Sequence, residues 1–222
     1  PAVFKRYVQL PAPTLEDNIS DLARLTRGLK TVCGIEEVST DFHMLARLGK
    51  TLREAEWNVT ATIVKTKAGN KLINVEKGNT EKKNYSIVID IGTTTVCGQL
   101  LDLANCSIVK LIEHCENGRD LCTLAESSDY NAQISYGEDV ISRIMYSQKK
   151  GGLRKLQEVV IKTINTVIKE LLEISGIEIS HISHLVFAGN TTMTHLMLGI
   201  DPKYIMLSPY TPVATFIPPV RA

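Results

Sequence analysis

The residues whose types and spacing could do chemistry lie in one short run, Ile87-Val-Ile-Asp-Ile-Gly-Thr-Thr-Thr-Val96. Its first half is rich in β-formers and reads as a buried strand, with Gly92 marking a tight turn into a second strand. Gly92 lacks a Cβ, tolerates positive φ and lets the backbone come close to a ligand. Thr93, Thr94 and Thr95 add three hydroxyls and successive backbone N–H groups, which in a turn form a concavity suited to an anion. Asp90, at the strand end, is placed to hold a hydrated Mg²⁺ beside phosphates. Together these residues predict a nucleotide triphosphate loop of the actin and hexokinase type. The run has neither Gly-x-x-x-x-Gly-Lys-Ser/Thr nor a Gly-x-Gly-x-x-Gly that opens a helix, so it is neither of the two common phosphate loops. An ordinary hairpin with threonines as β-formers is the competing reading.

A second candidate follows the predicted strand His184–Ala188. Gly189, Asn190 and Thr191 turn that strand directly into a helix running to Leu198, and such a turn aims free N–H groups above the sheet edge. Asn190 reads as a helix N-cap, either alone or also facing a nucleotide cleft. Asp139 and Arg143 are four residues apart on a predicted helix and share a face. They read either as a surface ion pair or as a pair on the cleft wall. His195 reads as packing and His43 as a surface or boundary residue. The five cysteines, Cys33, Cys97, Cys106, Cys115 and Cys122, lack zinc or iron–sulfur spacing and read mostly as small buried hydrophobes or free thiols.

The elements that must position these residues can be read in order. Residues 1–80 predict a small α+β unit. It has a strand over Val3–Leu10 and a helix capped by Thr14, carrying Leu15, Ile19, Leu22 and Leu25 and stopping at Gly28. A second helix is capped by Ser39 or Thr40 and carries Leu45, Leu48 and Leu52. A hairpin of Trp57–Thr66 with Lys71–Glu76 follows. Residues 78–84 are polar and turn-rich, a boundary signal. From 85 to 222 the pattern predicts the first part of a ribonuclease-H-like, actin-like domain. Tyr85–Asp90, Val96–Leu103 and Ser107–His114 form a three-stranded meander, and Cys115–Tyr130 has no regular pattern. A helix opening over 131–140 turns Val140, Ile144 and Met145 inward. A long amphipathic helix over Leu153–Ile174 ends at Gly176. Nothing in the first 80 residues carries recognisable chemistry.

With 222 residues the chain can hold one or two domains with cores of their own. Its formal net charge of +1 supplies no field for nucleic acid or an anionic membrane. No apolar run is long enough to span a bilayer and no signal peptide is visible, so the cytoplasm is the expected compartment. Both ends read as internal: there is no initiator Met, and the proline-rich end from Ser208 reads as a connection to a further segment.

Three strings together resemble the reductive activators of corrinoid proteins. They are Val-Ile-Asp-Ile-Gly-Thr-Thr-Thr-Val (88–96), Tyr-Gly-Glu-Asp-Val-Ile-Ser-Arg-Ile (136–144) and Phe-Ala-Gly-Asn-Thr-Thr-Met-Thr-His-Leu-Met-Leu-Gly-Ile-Asp-Pro (187–202). Leu10-Pro-Ala-Pro-Thr-Leu-Glu-Asp-Asn18 is similar to their linker. The resemblance implies a [2Fe–2S] domain ahead of this chain, a linker, a middle domain and an actin-like ATPase domain, with a second phosphate loop and an adenosine motif beyond Ala222. It implies ATP-driven reduction of Co(II) to Co(I) on a methyl-transferring corrinoid iron–sulfur protein, with an electron donor serving the cluster domain. It leaves a homodimer open and calls for neither nucleic acid nor a membrane. By the same resemblance Asp90 holds Mg²⁺ through water, Gly92 and Thr93–Thr95 hold phosphate oxygens of ATP or ADP, and Gly189, Asn190 and Thr191 approach the same cleft. Asp139 and Arg143 then line its wall or are structural. The alternatives are a kinase of the sugar or acetate type, which needs a carboxylate base, and a filament-forming actin relative. An activator of a radical dehydratase needs cluster-bridging cysteines that the spacing does not offer.

Overall fold

Alternation along β3 (Asn58–Thr66) buries Val59, Ala61 and Ile63 on one face, and the first sheet grows around that strand. The computed structural model describes residues 3–105 and 122–217. β1 (Val3–Gln9) and β4 (Gly69–Lys77) flank β3 antiparallel, and β2 (Val38–Thr40) pairs parallel with β4, giving the order β1-β3-β4-β2. Two helices, α1 (Asp21–Cys33) and α2 (Phe42–Glu54), bring Leu25, Leu29, Met44, Leu48 and Leu52 onto this sheet. The result is one continuous core, whose burial is the main driving force of the unit.

The start of α1 differs from the expectation. Thr14 caps only an isolated turn, accepting from the Asp17 amide at 3.1 Å. The helix begins seven residues later, where the Ser20 side chain accepts from Ala23 N. The cause is Asp17. Its carboxylate pairs with the buried Arg24 at 2.6 Å and also with Arg27, which fixes the segment before the helix. Leu15, expected on the helical stripe, is therefore 94% exposed. Gly28 does not end α1 either. It lies inside the helix, where a Cβ would come within 2.3 Å of the Leu10 side chain; the helix stops at Gly34, which takes the left-handed conformation. Likewise α2 is capped by Asp41, because Ser39 and Thr40 are taken up in β2. Met44 turns inward there while Leu45 is exposed.

The second sheet has the order β7-β6-β5-β8, from β5 (Tyr85–Ile91), β6 (Thr95–Asp102), β7 (Thr123–Tyr130) and β8 (Ile182–Gly189). The fold class is thus α+β with two mixed units, as expected. The expected strand Ser107–His114 lies outside the described residues. Thr123–Tyr130, expected to be irregular, is the strand that pairs antiparallel with β6. Only Ala125 in it is buried, so it carries little hydrophobic signal. Helix α3 (Val140–Ser147), the 24-residue α4 (Gly152–Ser175) and α5 (Thr191–Leu198) complete the unit. Along α4 the buried positions are Leu156, Val160, Thr163, Ile164, Val167 and Leu171, and Gly98 of β6 leaves the space that Val167 fills. In α3 the expected inward residue Met145 is 60% exposed, and Arg143 is buried in its place. Cys33 and Cys97 are free, as expected of most of the cysteines, and Cys122 is disulfide-bonded. The described residues cluster into two units, one of residues up to 85 with 102–105 and 122, the other of 86–101 with 123–217. No helix among them is long and apolar enough to cross a membrane.

The Asp17 carboxyl is held at about 2, below its ordinary 3.8, first by the hydrogen bond from Arg27 and then by that from Arg24. A depressed folded value adds stability above the unfolded value that is lost as pH falls through the folded one. The first unit should therefore weaken between about pH 4 and about pH 2, and Asp17→Asn should flatten that part of the profile. Urea midpoints measured across this window check it; an acid slope unchanged by the substitution would count against the network.

Candidate functional site

β5 delivers Asp90 and Ile91 to the edge of the second sheet, and the chain reverses through residues 92–94 into β6. The turn closes with Gly92 N donating to Thr95 O at 3.0 Å. A Cβ on Gly92 would sit 2.7 Å from that same oxygen. Close approach is what calls for glycine here, rather than the positive φ the sequence suggested, since Gly92 is not among the positive-φ glycines.

Three successive carbonyls of the turn are taken by Asn131 and Arg143 behind it, and a fourth closes the turn on itself. Gly92 O accepts from Asn131 Nδ2 at 2.8 Å, Thr93 O from Arg143 Nη2 at 2.6 Å, Thr94 O from Asn131 N at 2.8 Å, and Thr95 O from Gly92 N. Carbonyl oxygens repel an anion, and here each is occupied. The N–H groups of Thr93 and Thr94, the hydroxyls of Thr93, Thr94 and Thr95, and the Asp90 carboxylate make no hydrogen bond to the described residues. Asp90 and Thr94 are exposed, and Gly92, Thr93 and Thr95 are half-buried. The outward surface is therefore donors, hydroxyls and one carboxylate, which suits a phosphate chain and a hydrated cation.

The second candidate lies beside the first. β8 neighbours β5 in the sheet, and a Cβ on Gly189 would stand 3.1 Å from Ile91 O. Asn190 caps α5, its side chain accepting from Met193 N at 2.9 Å, and Asn190 and Thr191 are exposed. His195 is buried on α5, with Nδ1 donating to Thr191 O at 2.7 Å, so it packs as expected.

Asp139 and Arg143 separate. Asp139 is the α3 N-cap and accepts from Ser142 N at 2.7 Å, which with the Ser142 hydroxyl lowers its carboxyl below the usual range. Arg143 makes no ion pair within 4.0 Å of a carboxylate among the described residues. It is fully buried, Nε donates to Gly137 O at 2.8 Å, and Nη1 reaches Gln133 Oε1 at 3.4 Å and Met193 Sδ at 3.3 Å. Burial pushes its guanidinium below the usual arginine value. Arg143 thus links the turn, the short 3₁₀ helix Ala132–Tyr136 and α5.

Two residues here had no sequence signal. Asn131 and Gln133 are buried, and Gln133 Nε2 donates to Leu156 O of α4 at 3.0 Å. The sequence pattern places them in the opening of a helix, whereas they sit at and in a short 3₁₀ helix and the α-helix begins only at Val140. The partners of Asn131 and Arg143 in the turn are 39 and 50 residues away.

Residues 85–222 match the family model described as the RACo middle region, and residues 1–82 match the RACo linker region. The chain belongs to the RACo family. Its relatives include the corrinoid activation enzyme RamQ of Eubacterium limosum, 34% identical over 145 residues, a match that spans 64% of this chain and 22% of that enzyme. A solved structure, the reductive activator for corrinoid, iron-sulfur protein, superposes with a TM-score of 0.80 at 38% identity. That match spans 99% of this chain and 33% of the other. This RACo chain therefore corresponds to a minor part of each of these relatives.

The inward bonds make a testable demand. Asn131→Ala leaves Gly92 O without its side-chain partner, and a lost buried hydrogen bond costs about 1–3 kcal/mol. Denaturant unfolding should show that loss, and amide exchange at Gly92, whose N–H closes the turn on Thr95 O, should quicken. Unchanged exchange would mean that the turn does not depend on Asn131.

Proposed function

We propose that this chain binds ATP with Mg²⁺ at the turn 90–95 and that the full-length protein uses it to drive reduction of a Co(II) corrinoid to Co(I) on a corrinoid iron–sulfur partner. The reading rests on one observation above all: the turn's carbonyls are occupied by Asn131, Arg143 and Gly92 N, while the Thr93 and Thr94 N–H groups, the three hydroxyls and Asp90 make no hydrogen bond to the described residues. Support for the corrinoid role comes from the family and from the names of the two relatives. Asp90, exposed and without a hydrogen bond to the described residues, fits a carboxylate that holds a hydrated Mg²⁺ through water. When bound, the cation neutralises part of the triphosphate charge. Gly92 allows close approach, Thr93–Thr95 supply donors to phosphate oxygens, and Gly189, Asn190 and Thr191 stand beside Ile91 at the same sheet edge.

One electron added to Co(II) yields Co(I), an uphill transfer that needs coupling. A ligand shifts a conformational equilibrium only by its differential affinity for the two states. Each tenfold of such differential affinity is equivalent to about 59 mV for a one-electron couple. Nucleotide bound at this turn would favour the domain arrangement that presents the corrinoid for reduction. The electron comes from another carrier. Among the described residues no group of three or more His, Cys, Asp or Glu side chains could hold a metal, so the iron–sulfur chemistry implied by the resemblance is not assigned to them.

The test uses the full-length protein with its corrinoid partner and a reduced one-electron donor, following Co(I) by absorbance with and without ATP. Asp90→Ala should fold normally, as judged by circular dichroism, and lose the ATP effect by about tenfold or more, equivalent to about 1.4 kcal/mol. Full ATP-stimulated reduction in that variant removes Asp90 from the mechanism. Phosphorylation of a polyol or a carboxylic acid without any effect on cobalt would instead favour a small-molecule kinase.

A further inference from the structure

Arg143 is a buried cation with no carboxylate within 4.0 Å among the described residues, and Asp139 acts on it only at longer range. Its N–H groups meet the carbonyls of Thr93 and Gly137, the Gln133 side-chain oxygen and the Met193 sulfur, all formally neutral. The nearest acid along its own helix, Asp139, spends its carboxylate on the helix cap. An unpaired charge held away from water carries a large desolvation penalty. A protein that keeps one gains if a ligand of opposite charge arrives within reach of the weakly screened field. The Thr93 peptide joins this guanidinium to the turn: its carbonyl binds Arg143 Nη2, and its hydroxyl makes no hydrogen bond to the described residues.

We propose that Arg143 supplies the buried positive charge for the phosphate chain, acting through the Thr93 peptide as a positioning residue that favours polyanionic nucleotides over those with fewer phosphates. This rests on the nucleotide reading above. The same contacts fix the orientation of the peptide. Arg143 holds Thr93 O from beneath, so its charge and the direction of the adjoining N–H groups act together.

Two variants of the full-length protein separate charge from architecture. Arg143→Met removes both the charge and the carbonyl clamp. Gln133→Glu leaves the arginine in place and puts a carboxylate where Nη1 now meets a neutral oxygen; it also gives up the Nε2 bond to Leu156 O, a loss that Gln133→Met reproduces without the charge and so serves as its control. Calorimetric affinities for ATP, ADP and AMP are measured for each, with circular dichroism and thermal unfolding as the check on folding. Gln133→Glu should stay folded and lose about tenfold or more in ATP affinity, less in ADP affinity, and under about twofold in AMP affinity. Added salt should leave most of the difference between it and the wild type in place, because buried charges are screened little. A folded Gln133→Glu that binds ATP like the wild type overturns the proposal, as does an equal loss for all three nucleotides, which would report distortion of the turn. If Arg143→Met fails to fold, the Gln133→Glu series still decides. A wild-type protein that binds none of the three nucleotides sinks the functional reading first, and that result is separate from any difference between variants.

Discussion

The structure of the second unit depends on where the carbonyls of residues 92–95 find partners. A turn that presents N–H groups to solvent must place its carbonyls somewhere, and buried carbonyls left unpaired are costly. Asn131 satisfies two of them, one with its side chain and one with its backbone amide, and Arg143 satisfies a third. Asn131 is in turn fixed by the 3₁₀ helix it caps, and Arg143 by Gly137, Gln133 and Met193. The short elements between β7 and α4 therefore serve the turn more than they serve the core. Polar networks of this kind confer order only when nearly every member is satisfied.

That dependence explains which parts of the molecule were legible in the sequence. The strand pair around Gly92 shows itself through local residue types, because β-formers and a glycine act over a few positions. The long helix over Gly152–Ser175 shows itself through its period, since the buried positions recur at helical spacing. Asn131 and Gln133 leave no such trace, and Arg143 was noticed only as one of a pair with Asp139. Its real partners come from three separate segments of chain. Strand β7 was missed for a different reason: with one buried residue in eight, Thr123–Tyr130 lacks the alternation that identifies a half-buried strand.

In the first unit the misread helix start has the same origin. Thr14 with acidic residues after it is a sound cap signal, and it does close a turn. A longer-range ion-pair network overrode it, because Arg24 is buried and needs Asp17 close by. The Arg24 and Arg53 side chains also lie over the Trp57 ring, 5.8 and 5.4 Å from its centroid, so the same arginines hold the end of α2. Local preference decides a boundary only where no buried charge has a prior claim on the residues.

β8 is the outer strand of its sheet among the described residues, and its last four residues are exposed, with Val186 and Phe187 each at 39%. A strand with one open ladder of N–H and C=O groups and apolar side chains is a template for recruiting another strand. For anyone purifying this chain by itself, the practical result is adhesion at high protein concentration: copies would join edge to edge along Ile182–Gly189, and a charged or proline substitution at Val186 would keep them apart.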